Sequence, residues 1–253
     1  MIEGKSSCNL TKKTLDVLEY ISETHRSSSL QEIAKNVGLT PATAHRILTV
    51  LRESGYVEQR DNKDYYSTYK MYVLAGKVME NDPHVSKVLP FLNYFVLKLG
   101  TDCGASLTTF CEDACVNLIS AGREMRFRTK LAIPGAAHPC HCTAAGKLFL
   151  SCLSEAELEK WLSRNVLLPY TKHSLTDVDE LKKELEKTRE RGYATMYAEL
   201  TDNLAVVSIP VHEKNGQIDL AVNFSIATTR FSEINNPEFV QSVRDVLKKY
   251  NVF

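Results

Sequence analysis

The chain has 253 residues, 31 Lys+Arg against 31 Asp+Glu, a formal net charge of zero and 43% hydrophobic residues. That length suits a sizeable core split over two domains, and the neutral balance supplies no general pull towards nucleic acid or membrane, although local patches stay open. No apolar run approaches the roughly 20 residues of a membrane span, and the N-terminus lacks a signal-peptide core. The seven cysteines, an odd number, do not suggest a disulfide framework, so a cytoplasmic protein with free thiols is expected.

The first periodic segment, "KKTLDVLEYIS", predicts a helix with Leu15, Leu18 and Ile21 on its apolar face. Ser29 is placed to cap a short second helix carrying Ile33, Ala34 and Val37, and Gly38 supplies the left-handed residue that ends it. Thr40 before Pro41 is an N-cap with proline at the first helical position. The helix that follows puts Ala44, Ile47, Leu48 and Leu51 on one face. Helix, glycine turn and capped helix are the layout of a helix-turn-helix, whose second helix enters the DNA major groove. Its other face offers Arg46 and Thr49, with Thr43 and His45 on the flank, residue types that reach base edges and phosphates. "YVEQRDNKDYYSTY" predicts a winged hairpin with Arg60 and Lys63 near the tip. Ser29, Thr40, Thr43, His45, Arg46, Thr49, Arg60 and Lys63 are the candidate DNA contacts. A packing module of three helices, or a winged helix used for protein contacts, is the competing interpretation.

Two helices interrupted at Asn81-Asp82-Pro83 form a connector over 71–100, which separates a winged helix-turn-helix at 1–70 from a second domain at 101–253. There the pattern changes to strands. "GASLTTFC" and "CVNLISAG" flank a hairpin turn, "RFRTKLAI" follows, and helices are expected near 143–152, 154–164 and 176–191. "YATMYAE", "LAVVSIPV" and "IDLAVNFSIA" are three further strands, with a last helix near 236–250. The fold class is α+β with a mainly antiparallel sheet.

Arg126, Arg128 and Lys130 alternate along one strand and form either a cationic wall or a solvated face. In the last strand Leu220, Val222, Phe224 and Ile226 face a core, and Ala221, Asn223 and Ser225 face either a ligand pocket or solvent. "AHPCHCTAAGK" packs His138, Cys140, His141 and Cys142 into five positions. Extended backbone would set His138, Cys140 and Cys142 on one side and His141 on the other, so one ion does not readily take all four. Cys111 and Cys115, with Cys103, are the nearest further ligands for zinc. No G-x-S-x-G, H-E-x-x-H, P-loop or dinucleotide fingerprint is present, so no catalytic residue is assigned and an enzyme reading has no anchor.

"HCTAAGK" resembles the H-x-T-A-x-G-K motif of IclR-family transcriptional regulators, with His141, Thr143, Ala144, Gly146 and Lys147 in register. "RGYA" at 191–194, Glu199 ahead of "VVSIPV", the run from Gly216 to Val222 and the helix-turn-helix segment continue the resemblance. It implies a winged helix, a linker helix and a GAF-like α/β effector-binding domain. The implied protein is a homodimer or tetramer that binds double-stranded operator DNA and responds to an organic acid, sugar acid or aromatic carboxylate. By the same resemblance the effector contacts fall on Phe127, Lys130, Ala144, Ala145, Met196, Val206, Asn223 and Ser225. No cofactor is implied. The alternative is a metal- or thiol-redox-sensing DNA-binding regulator using Cys103, Cys111, Cys115, His138, Cys140 and Cys142. Asn203 stands where a glycine is usual and Cys140 where leucine is usual; asparagine tolerates left-handed backbone.

Overall fold

Four helices and a hairpin build the first of the two units into which the chain divides, residues 1–81 and 82–253. The computed structural model describes residues 3–24, 27–122, 133–214 and 217–249. Helices α1 (Glu3–Glu23), α2 (Leu30–Asn36) and α3 (Pro41–Glu53) precede strands β1 (Val57–Gln59) and β2 (Tyr65–Ser67) and helix α4 (Lys70–Asn81).

Capping chemistry fixes the first unit locally. The Glu32 N–H donates to Ser29 Oγ (3.3 Å) and the Ser29 N–H donates to the Glu32 carboxylate (2.9 Å), a reciprocal capping box at the start of α2. Gly38 takes a φ of 67°, which a residue with a Cβ enters only with strain, and so turns the chain towards α3. Thr40 then accepts from the Thr43 N–H, and Pro41 fills the first turn. Ile33, Ile47, Leu48, Leu51, Val57 and Tyr65 close over Val17 and Ile21 of α1. The inward face of α1 therefore differs from the one its periodicity suggested. Val17 is fully buried, Ile21 is nearly so and Leu18 packs beside them, whereas Leu15 is exposed. Packing against α2 and α3 selects the Val17–Ile21 pair, four residues apart on one side of the helix. Helix α4 buries none of its residues, and Tyr69, Tyr72 and Val78 at and beyond its start are among the most exposed apolar side chains.

The second unit is a six-stranded sheet with helices on both faces. Helix α5 (Pro83–Leu99), capped by Asp82, leads into β3 (Cys103–Cys111), β4 (Ala114–Gly122) and the short β5 (Ala137–His138). Helices α6 (Ala144–Ser151), α7 (Glu155–Arg164) and α8 (Val178–Arg191) come next, then β6 (Ala194–Tyr197), β7 (Leu204–Lys214), β8 (Gln217–Ala227) and α9 (Pro237–Lys249). The spatial order is β5-β4-β3-β8-β7-β6, and every pairing is antiparallel. The last strand is thus central, clamped between β3 and β7. Its apolar face meets α5 and α9, where the Phe224 ring lies 5.2 Å from Phe95, 5.1 Å from Phe239 and 6.5 Å from Phe91. On the other face α6 lies against the sheet and α8 against α6. Leu148, Phe149, Leu181, Leu185 and Trp161 form that core, and the Trp161 indole N–H donates to the Asp113 carbonyl in the β3–β4 turn (3.0 Å).

Two irregularities shape this second face. The β3–β4 register slips between Leu107 and Thr108, whose partners are Ile119 and Asn117, so Leu118 is a bulge. The expected extension through 140–142 is replaced by a single 3-10 turn, Cys140–Cys142, so the alternation of sides inferred for His138, Cys140, His141 and Cys142 does not hold. The turn lets Gly146 of α6 sit against the Cys140 main chain, where an added Cβ would lie 2.2 Å from both Cα and the carbonyl oxygen. The predicted strand "RFRTKLAI", with Arg126, Phe127, Arg128 and Lys130, lies almost wholly outside the described residues.

Candidate functional site

Two features carry chemistry, one in each unit. In the first, α3 buries Ala44, Ile47, Leu48 and Leu51 and turns a polar face outward. His45 and Arg46 are exposed and Thr43 and Thr49 half-buried. The Thr49 hydroxyl donates to the His45 carbonyl one turn back (2.9 Å), and the Thr43 and Thr40 hydroxyls are 2.9 Å apart at the helix start. Ser29 and Thr40 both stand at helix N-termini, where orphan N–H groups and the helix dipole favour a phosphate. In the wing, Lys63 sits in left-handed backbone with a φ of 63°. The Arg60 guanidinium lies 3.9 Å above the Tyr66 ring and 3.1 Å from the Glu58 carboxylate. That ion pair is solvent-exposed at both ends, and such pairs contribute about 0–1 kcal/mol, so Arg60 is not locked away from an approaching polyanion.

In the second unit a cavity of about 80 Å³ lies between the sheet and the start of α6. By the same measure one water needs about 10–15 Å³, so the space suits roughly five to eight water-sized groups. The structure brings Ala144, Ala145, Met196, Val206, Asn223 and Ser225 together around it, all but two of the positions the family resemblance indicated; Phe127 and Lys130 are outside the described residues. Thr143 caps α6 through the Gly146 N–H (3.2 Å). Ala144 and Ala145 stand in the first turn, whose N–H groups have no partner within the helix.

Several lining residues were not anticipated. Ser106 and Thr108 of β3 repeat the small polar alternation of β8, and the antiparallel register sets Ser106 opposite Asn223. That alternation was legible in "GASLTT". Asn117 and Ser120 of β4 were not, because residues three apart share a strand face only when a bulge intervenes. His138, Cys115, Thr143 and Leu204 complete the apolar and polar edges. Among the described lining residues none is Asp, Glu, Lys or Arg.

The polar groups form two small networks. The Asn223 amide donates to Thr108 Oγ1 (2.7 Å) and Ser106 Oγ (3.1 Å), and the Asn117 amide donates to Ser120 Oγ (2.8 Å). The Oδ1 atoms of both asparagines are buried and accept no hydrogen bond from the described residues. Behind the cavity the motif lysine, Lys147, is 1% exposed and donates to both Glu199 oxygens at 2.6 and 2.8 Å, with Glu184 3.9 Å away. Burial raises the Glu199 carboxyl above its ordinary value while Lys147 pulls it back. The pair ties α6 to the turn after β6, where Ala198 has a φ of 54°. Asn203 adopts a φ of 64°, left-handed backbone that asparagine tolerates.

The Cys/His cluster does not assemble as a ligand set. Cys115 and Cys140 approach to 3.5 Å between sulfurs, but Cys111 and Cys152 are exposed, and Cys103 donates to main-chain oxygens of Gly100 and Val96. His141 is buried with Nε2 3.0 Å from the Leu168 carbonyl, and burial lowers its pKa. Burial raises Cys142 to about 11, and the hydrogen bond with Cys115, reinforced by burial, pushes Cys140 well up. Such thiols stay protonated at neutral pH, which makes them poor nucleophiles. Among the described residues no three His, Cys, Asp or Glu side chains are placed to hold one metal ion, and the metal-sensing alternative finds no support.

A winged helix-turn-helix in one unit and a small cavity in an α/β unit define a DNA-binding regulator with an effector-binding domain. The chain belongs to the IclR family: residues 85–251 match the bacterial transcriptional regulator IclR C-terminal model and residues 11–61 the IclR helix-turn-helix domain. It is similar to the transcriptional regulator KdgR of Dickeya chrysanthemi, 27% identical over 90% of this chain and 74% of that one. It is also similar to the transcriptional repressor IclR of Escherichia coli, 25% identical over 93% and 88% of the two chains. Among solved structures, an IclR regulator from Alicyclobacillus acidocaldarius superposes with a TM-score of 0.75 at 24% identity, covering 96% of this chain and 95% of that one. An IclR homologue from Microbacterium hydrocarbonoxydans, complexed with 4-hydroxybenzoate, does so with a TM-score of 0.75 at 17% identity, covering 95% and 97%. Both share the fold. No helix among the described residues is long and apolar enough to cross a membrane.

Proposed function

We propose that this regulator grips paired operator half-sites through α3 and the wing, as a homodimer or a pair of dimers, and that a small organic acid in the α6 cavity changes its hold on DNA. The observation that carries the reading is the outward face of α3: Thr43, His45, Arg46 and Thr49 stand opposite a fully buried apolar stripe on a helix capped at both the sequence and the structural level. Arg46 and His45 read base edges, Ser29 and Thr40 hold phosphates at helix starts, and Arg60 and Lys63 of the wing meet the backbone or minor groove. A second copy covers α4, none of whose residues is buried in the first unit.

The effector is an organic acid, sugar acid or aromatic carboxylate. The first-turn N–H groups of Ala144 and Ala145 suit its carboxylate, and the related homologue complexed with 4-hydroxybenzoate supports an acid of that size. The protein works on DNA and a ligand and carries out no reaction on either. A gel shift on the DNA upstream of its own gene tests the DNA half of this reading. Arg46→Ala should weaken specific binding by about 1–3 kcal/mol and relax preference at one base pair. Equal binding of operator and random duplex by the unaltered protein at moderate salt would remove the assignment.

A further inference from the structure

The Oδ1 atoms of Asn117 and Asn223 are the least explained polar groups near the cavity. Asn117 is 1% exposed and Asn223 7%, and each spends its amide N–H groups on neighbouring hydroxyls. Among the described residues neither carbonyl oxygen has a donor, and both residues line the same cavity. Buried acceptors without partners are rare in folded proteins, and each one calls for a reason. Neither is an accident of a loose loop. Asn223 sits in the central strand of the sheet, and Asn117 is turned towards the cavity by the Leu118 bulge. Among the other described lining residues Ala144, Ala145, Met196, Leu204 and Val206 offer apolar contact, beside the polar side chains of His138, Thr143 and Ser225.

An occupant without donors would seal two acceptors away from water unpaired. An occupant with hydroxyl groups in the right places would meet them, because these two buried oxygens accept nothing from the described residues and have the most to gain from a donor. Sites built in this way reject the analogue that lacks the hydroxyl far more strongly than apolar pockets reject a missing methylene. We infer that the ligand of this cavity is a small acid carrying at least two hydroxyl groups, which donate to Asn117 Oδ1 and Asn223 Oδ1. The inference rests on the assignment of this cavity as the effector site. It adds a selection rule to that assignment: hydroxyl count, with the carboxylate held constant, sets affinity.

The test uses the full-length protein and two matched series, propionate, lactate and glycerate, and benzoate, 4-hydroxybenzoate and 3,4-dihydroxybenzoate, with affinity read by calorimetry. In at least one series Kd should fall about tenfold with each hydroxyl, the cost of leaving one buried acceptor unmet. Asn117→Leu and Asn223→Leu should each flatten one step of that series while still binding the hydroxyl-free acid. A flat series in the unaltered protein, or no binding by any of the six at millimolar concentration, overturns the inference whether or not the variants fold. Failure of the underlying assignment gives a different result: Val206→Phe, which fills the cavity, would leave the Kd of the best acid unchanged because that acid binds elsewhere.

Discussion

Replacing Gly146 by alanine probes the contact on which the α6 end of the cavity is built. The new Cβ would lie 2.2 Å from Cys140 Cα, 2.2 Å from its carbonyl oxygen and 2.6 Å from its carbonyl carbon. Non-bonded carbons rest about 3.5–4.0 Å apart, so α6 and the 3-10 turn would have to separate by more than about 1 Å. All three obstacles are main-chain atoms, so no side chain can swing aside. Overpacking of this kind costs about 3 kcal/mol or more, against a gain of about 1 kcal/mol from alanine's better helix propensity. The net loss is at least about 2 kcal/mol, which for a unit of this size lowers the midpoint by about 4–8 °C. Scanning calorimetry of Gly146→Ala should show this lower midpoint for the second unit. A Gly146→Ala midpoint within about 2 °C of the unaltered protein would refute the close approach of α6 and Cys140.

Three further outcomes are expected. Phe224→Ala removes the ring shared by Phe91, Phe95 and Phe239 and should cost about 3–5 kcal/mol in chemical denaturation of the second unit. Ser29→Ala breaks the α2 capping box and should cost about 1 kcal/mol, read as a lower denaturation midpoint of the first unit with the second unchanged. Burial lowers the pKa of His141 below its ordinary 6.5, so the folded protein binds fewer protons there than the unfolded chain. Its contribution to stability is complete above that value and is lost as pH falls through the lowered one. His141→Gln should therefore lose less stability than the unaltered protein between pH 7 and about pH 5; equal losses would contradict the buried, neutral imidazole.

Where an element is set by its own neighbours in sequence, the residues announced it. Ser29 with Glu32, Gly38, Thr40 with Pro41, and Asp82 with Pro83 mark helix ends by chemistry that acts within four positions. The alternation of β8 put Asn223 and Ser225 on one face but left pocket and solvent equally open; the family resemblance pointed to a pocket, and both residues line the cavity. What sequence did not show depends on distant partners. Leu15 lost its place in the core to Val17 because α2 and α3 approach α1 from that side. Asn117 reaches the cavity through a bulge that only the β3 register defines, and the centrality of β8 follows from pairings with strands over 100 residues away and immediately before it. The histidines and cysteines of the "AHPCHC" run looked like one constellation because they are adjacent in sequence, but the 3-10 turn sends them to different neighbours. Gly146 and Lys147 a few residues further on, which advertise no ligand chemistry, carry the close approach to Cys140 and the buried ion pair with Glu199.

The chain has one tryptophan, and Trp161 is 2% exposed in the second unit, with its indole N–H fixed to the turn that joins β3 to β4. Its ultraviolet emission therefore reports on the ligand-binding half alone, while far-ultraviolet circular dichroism sums the helices of both halves. Followed together through one denaturation, the two optical signals measure how far the DNA-reading half and the sensing half melt as separate bodies, with no label attached.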